Sequence, residues 1–229
     1  MSERRLSRAQ LAKMIIARFG GGLVAVAAMF FLPAGTLTYW EAWVWLGIIF
    51  IPMGIFMIYL IRNDPALLER RMRTRETEKQ QALFIKLSWI WFLASFLLPG
   101  FDHRFGWSNV PTGVVIASAA LVLLGYLGFV LVLRENSYAS RVVEVERGQK
   151  VIDTGPYALV RHPLYLAAVV MYLFSPLALG SFWAMIPNLA IIPLLVMRIM
   201  NEEAVLTREL PGYPEYMQKV NYRLVPGVW

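Results

Sequence analysis

The stretch PTGVVIASAALVLLGYLGFVLVL, residues 111–133, contains no Asp, Glu, Lys or Arg. It is long enough to cross a hydrocarbon core of ~30 Å as a tilted helix. Working outward, apolar runs at about 14–32, 42–61 and 83–98 precede it, and shorter ones at 164–179 and 182–197 follow the polar segment 134–161. The last two are short for free-standing crossings and are interrupted by Ser175-Pro176 and Gly180-Ser181, which predicts a helical hairpin or broken pair. The pattern predicts an all-α polytopic transmembrane protein of about six helices, with five full crossings as a variant. Pro99-Gly100 is expected to stop the third span, and Pro33 to Glu41 to form a turn. Asp64 or Asn63 can cap a short surface helix starting near Pro65. Tyr39, Trp40, Trp43 and Trp45 are expected to set their rings at the boundary between water and lipid.

Composition agrees with a membrane protein. The 229 residues are 58% apolar and 16% charged, and the mean hydropathy is +0.55, which excludes an ordinary soluble enzyme. The sequence contains no cysteine, excluding disulfides, thiolate nucleophiles and cysteine-ligated zinc or iron–sulfur clusters. The first apolar run, behind Arg4, Arg5, Arg8 and Lys13, has the outline of a signal peptide without a convincing cleavage site, and reads as a retained helix. Of the Lys and Arg residues behind the net charge of +7, segments 1–13, 62–81, 134–161 and 198–229 hold 4, 6, 5 and 4, whereas the three intervening turns hold only Arg104. Both termini and both long loops are therefore expected to be cytoplasmic, with anionic lipid headgroups rather than nucleic acid as the counter-charge. The chain divides into amino-terminal membrane helices, 1–133, with the 62–81 loop, and a carboxy-terminal region, 134–229, holding the hairpin and the motif-bearing segments.

The chemistry-bearing residues concentrate in 148–165, which reads GQKVIDTGPYALVRHPLY. Gly155-Pro156 is a rigid turn, and Pro163 suits the first turn of the next helix, holding Arg161 and His162 just ahead of it. Amide groups exposed there could receive an anion or carboxylate. Taken alone, Arg161, His162 and the nearby tyrosines could also be a membrane-interface anchor. A second cluster, Arg198-Ile199-Met200-Asn201-Glu202-Glu203, follows the last apolar run; on a helix Arg198 and Glu202 lie four apart, as in an ordinary surface ion pair. The tail beyond, with Leu210-Pro211-Gly212-Tyr213, Tyr216 and Tyr222-Arg223-Leu224-Val225-Pro226, could fold back to give the two clusters an aromatic wall. Asn136, Ser137, Tyr138 and Ser140 could line an entrance, though a helix exit accounts for them as well. His103 reads as a loop residue at the opposite face.

Gly-Pro-Tyr at 155–157, Arg-His-Pro-x-Tyr at 161–165, a helical hairpin, Glu202-Glu203, and Tyr213-x-x-Tyr216 before Arg223-x-x-Pro226 together resemble the membrane-integral isoprenylcysteine carboxyl methyltransferase family and its prokaryotic relatives. The resemblance covers 148–226 and is weaker over the amino-terminal spans. It implies S-adenosylmethionine as methyl donor, with S-adenosylhomocysteine as product, held by helix ends and cytoplasmic segments in a prokaryotic plasma membrane. Carried onto this chain, it implies a cofactor-binding set of Val151, Gly155, Tyr157, Arg161, His162, Pro163, Tyr165 and Glu203, and a catalytic set of Arg198, Glu202 and His162. No metal is implied.

Transfer of a methyl group from a sulfonium needs alignment and exclusion of water more than acid–base work. A carboxylate acceptor is already ionised, and Arg198 would hold one of its oxygens while the other attacks. An amine or thiol acceptor would need a base, for which His162 and Glu202 are the candidates. The expected acceptor is an isoprenoid-like, prenylcysteine-like or other lipidic molecule entering laterally, and the expected partners are membrane lipids with no nucleic acid and no obligate protein. The rival classes are a nicotinamide-dependent membrane reductase of sterol- or isoprenoid-type substrates and a non-enzymatic transporter or scaffold.

Overall fold

The computed structural model describes residues 8–72, 79–139, 145, 146 and 148–229, and among these it is helical without strands. The parts of the expected basic segments at 1–7, 73–78, 140–144 and 147, and with them Ser140, lie outside the described residues. The helices are α1 (Arg8–Ala34), α2 (Trp40–Asn63), α3 (Pro65–Met72), α4 (Lys79–Phe105), α5 (Thr112–Glu135), α6 (Pro163–Ala178), α7 (Met185–Leu189), α8 (Ile191–Glu209) and α9 (Tyr213–Lys219), with a 3-10 turn at Gly155–Ala158. Among the described residues, Lys13–Ala34, Trp40–Asn63 and Thr112–Glu135 are long and apolar enough to cross a membrane. α6 is apolar but shorter, and α4 has 27 residues. The apolar runs of the sequence thus become α1, α2, α4, α5, α6 and α8, the fold of a helical membrane protein.

Several boundaries differ from the sequence reading. α4 runs straight through Pro99-Gly100 to Phe105, so that pair is not a stop. A proline removes one helical donor, but here α1 lies directly against the turn. A Cβ on Gly100 would sit 2.5 Å from the Phe30 carbonyl oxygen, so the neighbouring backbone covers the irregularity. Likewise Pro33 lies inside α1 and Pro176 inside α6; the chain turns at Gly35 and Gly180, which have φ of 67° and 70°. The apolar stretch expected at 182–197 is divided into the short α7 and then α8, which continues unbroken past that stretch to Glu209 and carries Arg198 and Glu202 on its middle turns, four apart on a helix as expected. Trp40 and Trp43 are exposed, as an interfacial role requires, but Tyr39 and Trp45 are core residues. The Tyr39 hydroxyl donates to the Leu179 carbonyl at 2.5 Å, and the Trp45 Nε1–H donates to Ser175 Oγ at 2.9 Å.

Antiparallel packing sorts the connections onto two ends. At one end Ile15 of α1, Leu60 of α2, Leu67 and Leu68 of α3 and Leu133 of α5 share a cluster with Leu164 of α6. Asp64 Oδ1 caps α3 by accepting from the Leu67 amide at 2.9 Å. At the opposite end the buried Asp102 carboxylate accepts from the Ser108 amide at 2.7 Å, from Ser108 Oγ at 2.6 Å and from Ser181 Oγ. This clip joins α4 to the turns after α4 and α6. His103 belongs to the last turn of α4 rather than a loop, and its ring stacks on Tyr39 at 4.2 Å. Trp107, Phe182 and Trp183 are exposed around this end, the distribution expected of an interfacial aromatic belt.

α5 packs extensively on α6. A Cβ on Gly125 would meet Met171 Cγ at 2.9 Å and the Ala167 carbonyl oxygen at 3.2 Å, so only glycine permits this approach. Gly125→Ala is expected to lower stability by about 1–3 kcal/mol through overpacking. Gly113→Ala, at a position with nothing within 4 Å, is the control and should leave the melting temperature in detergent where it is.

Candidate functional site

The end of the bundle opposite the Asp102 clip is built around the segment 148–165 and the returning tail. Gly155, at φ 54°, starts the 3-10 turn, with Pro156 fixing its first residue. Thr154 Oγ1 donates to the Glu135 carboxylate and so ties this turn to the end of α5. His162 is the residue ahead of α6, and Pro163 is its first helical residue. The amides of Arg161 and His162 do not wait for an anion, contrary to the expectation from sequence. They donate to the carbonyls of Tyr222 and Arg223, each at 2.9 Å, because the tail lies alongside them like a strap.

Beneath this strap sits a buried ionic cluster. Arg161, His162 and Glu203 are 6%, 4% and 5% exposed. Glu203 Oε1 accepts from Arg161 Nε at 2.7 Å and lies 3.2 Å from His162 Nε2; its Oε2 accepts from Arg223 Nε at 2.8 Å. Arg161 Nη1 donates onward to the carbonyls of Val220 and Asn221 at 2.8 and 3.0 Å, and the Arg223 guanidinium lies over the Trp229 ring, 5.2 Å from its centroid. Burial pushes the Glu203 carboxyl up, but the donors His162, Arg161 and Arg223 outweigh it and hold the group at about 2. The carboxylate is therefore ionised, and two tail-side contacts, the Arg223 bond and the carbonyls taken by Arg161, secure the strap to α6 and α8.

Next to the cluster opens a cavity of about 840 Å³, counting its open mouth. One side is charged. Arg198 Nε donates to the Tyr165 hydroxyl at 3.0 Å, and that hydroxyl donates to Glu202 Oε2 at 2.5 Å; α6 and α8 thus hold a guanidinium and a carboxylate through one phenol. Arg161, His162 and Lys150 also face the cavity. The other side is aromatic, from Tyr157 of the 3-10 turn and Tyr213 and Tyr216 of α9. The Tyr216 hydroxyl donates to the Tyr157 carbonyl at 2.7 Å, and Asn136 Nδ2 donates to the Tyr157 hydroxyl at 3.0 Å. Burial, only partly offset by the Asn136 donor, pushes the Tyr157 phenol up to about 12. Apolar surface comes from Val151, Leu164, Leu206 and Leu210.

Of the residues singled out in the sequence, the structure brings Val151, Tyr157, Arg161, His162, Tyr165, Arg198 and Glu202 to this cavity. Gly155, Pro163 and Glu203 are not on its wall: the first two shape the backbone, and Glu203 lies behind it, binding the residues that face the cavity. Asn136 and Tyr138 line it, as an entrance would require. Gln149, Lys150, Ile152 and Leu206 were not singled out. Leu206 was within reach of the sequence, since it lies one helical turn after Glu202 on the same face. Lys150 had no such signal, because its position depends on an irregular segment.

Residues 115–208 match the family model described as the Isoprenylcysteine carboxyl methyltransferase (ICMT) family. A curated relative, the nickel-cobalt-cadmium resistance protein NccN of Alcaligenes xylosoxydans xylosoxydans, is 27% identical over 136 residues. That match takes in 51% of this chain and 62% of the relative, so the chain spans less than two thirds of its length. The matched segment runs from α5 through α8 and contains the 3-10 turn, the Arg161-His162-Pro163 entry to α6 and the Arg198–Glu203 cluster. Over residues 115–208, from α5 to α8, this chain is similar to the ICMT family.

Proposed function

We propose that the protein is an S-adenosylmethionine-dependent membrane methyltransferase that transfers a methyl group to a carboxylate on an isoprenoid-like, prenylcysteine-like or other lipidic molecule. The coarser assignment, a membrane methyltransferase, has the support of the family match. The observation that carries the finer one is the cavity itself, whose donor set suits this cofactor. Arg161 and Lys150 offer positive partners for a carboxylate and His162 a ring nitrogen beside them, Glu202 offers a partner for an ammonium, and the rings of Tyr157, Tyr213 and Tyr216 offer faces for a purine and a sulfonium. When bound, the cofactor supplies an electrophilic methyl group on a cationic sulfur. The chain's own residues then have to orient and to exclude water. Arg198, fixed through Tyr165 to Glu202, is placed to hold one oxygen of an acceptor carboxylate, and such an acceptor needs no base. Leu164, Leu206 and Leu210 give the acceptor's apolar part a surface beside the lipid-facing helices. The site belongs on the cytoplasmic face of a multi-pass protein in a prokaryotic plasma membrane, where the basic segments favour anionic lipids.

The test is calorimetry of S-adenosylmethionine and S-adenosylhomocysteine on detergent-purified protein, with reduced nicotinamide cofactor as comparator and His162→Ala as control. Saturable binding of the sulfur cofactors, weakened in H162A, is the expected result. Nicotinamide binding in its place would overturn the proposal and put a membrane reductase first.

A further inference from the structure

Of the tyrosines at 157, 165, 213 and 216 that line the cavity, three have their hydroxyls committed: Tyr157 to Asn136, Tyr165 to Arg198 and Glu202, and Tyr216 to the Tyr157 carbonyl. Tyr213 is the exception. The residue is 4% exposed, and its hydroxyl is buried with no hydrogen-bond partner among the described residues. Buried hydroxyls are almost always satisfied, so an orphan on a residue that lines the cavity points to a bound molecule that completes the bonding.

The kind of atom it receives follows from its surroundings. Burial, and then the carboxylates of Glu203 and Glu202, push the Tyr213 phenol well up, so the group is a neutral donor in a negative field, with Arg161 as the counterweight. That field disfavours a ligand carboxylate and leaves a neutral acceptor. The ring of Tyr213 lies 5.7 Å from that of Tyr216, on the aromatic wall built by α9 and the 3-10 turn.

We propose that the Tyr213 hydroxyl is a binding group for the nucleoside half of the cofactor, donating to a ribose oxygen or a purine ring nitrogen. This rests on the reading of the cavity as an S-adenosylmethionine site. It assigns the aromatic side to the nucleoside and leaves the charged side to the amino-acid half and the acceptor.

The experiment compares wild type, Tyr213→Phe and Tyr216→Phe in detergent. It measures the melting temperature without ligand and the affinity for S-adenosylhomocysteine and for 5′-methylthioadenosine, which lacks the amino-acid half. Because Y213F removes a group with no partner, the free protein should melt at the wild-type temperature or above it. Y216F gives up a formed bond and should melt lower. Both ligands should bind Y213F about five- to tenfold more weakly, by the same factor. Three outcomes would overturn the proposal. Unchanged affinity, with or without a lower melting temperature, would make Tyr213 a structural residue. A loss confined to S-adenosylhomocysteine would place the contact on the amino-acid half. Absence of S-adenosylhomocysteine binding in wild type would remove the cofactor reading itself, and is recognised before any variant is compared.

Discussion

Glu203→Ala is expected to destabilise the detergent-solubilised protein by about 3–5 kcal/mol, the cost of stripping the partner from buried charge. The loss is large because one carboxylate serves three donors. Its Oε1 meets Arg161 and His162, its Oε2 meets Arg223, and Arg161 and His162 are almost wholly buried. A pH scan of the melting temperature tests the same point with a definite sign. The Glu203 carboxyl is lowered from 4.5 to about 2 in the folded protein. Its contribution is therefore fully present above pH ~4.5 and is lost as the pH falls from there towards 2. E203A should show a lower plateau and a flatter acid limb than wild type. Equal acid limbs in the two proteins would mean that the cluster does not secure the strap.

The second large effect is on chemistry. Under the proposed function, Arg198→Ala should lower methyl transfer to a prenylcysteine-type carboxylate by about 10²–10³-fold, the range found when a positioned electrostatic partner is removed. S-adenosylhomocysteine affinity should change little, since Tyr157, Tyr213 and His162 remain in place. Initial rates with a labelled methyl donor, measured beside calorimetry, separate the two. A variant that loses cofactor affinity and rate in proportion would assign Arg198 to holding the cofactor instead. Arg198→Lys distinguishes further. It keeps the charge but loses the guanidinium fork that bonds the Tyr165 hydroxyl, and only partial recovery is expected.

How far the sequence reaches depends on the kind of signal. Long apolar runs announced α1, α2 and α5 because a membrane leaves the backbone no alternative. The basic segments were readable as neighbours in space, and the described parts of them do share one end. The proline positions misled, since a proline by itself does not decide where a helix stops; Pro99 sits within α4, where α1 packs against the adjoining Gly100. Tyr39 and Trp45 looked interfacial by type but are core residues, each with a long-range partner, Leu179 and Ser175, more than a hundred positions away. In the site, Arg161, His162, Arg198 and Glu202 were legible as motif residues. The placement of Glu203 behind the wall, and of Lys150 on it, was not. Both depend on how the irregular segment and the tail lie on the helices, which local pattern does not encode.

The strap also has a consequence for the order of biosynthesis. The Arg161 guanidinium finds its carbonyl partners 59 and 60 positions later in the chain, and its amide bonds Tyr222. At a translation rate of ~5–20 residues per second, the partners of Arg161 follow it by about 3–12 s. During that interval α6 and α8 can enter the lipid and pair, but Arg161 and His162 have no strap to bond. The pocket is thus completed only after α6 and α8 have both been made, however early those helices settle in the membrane.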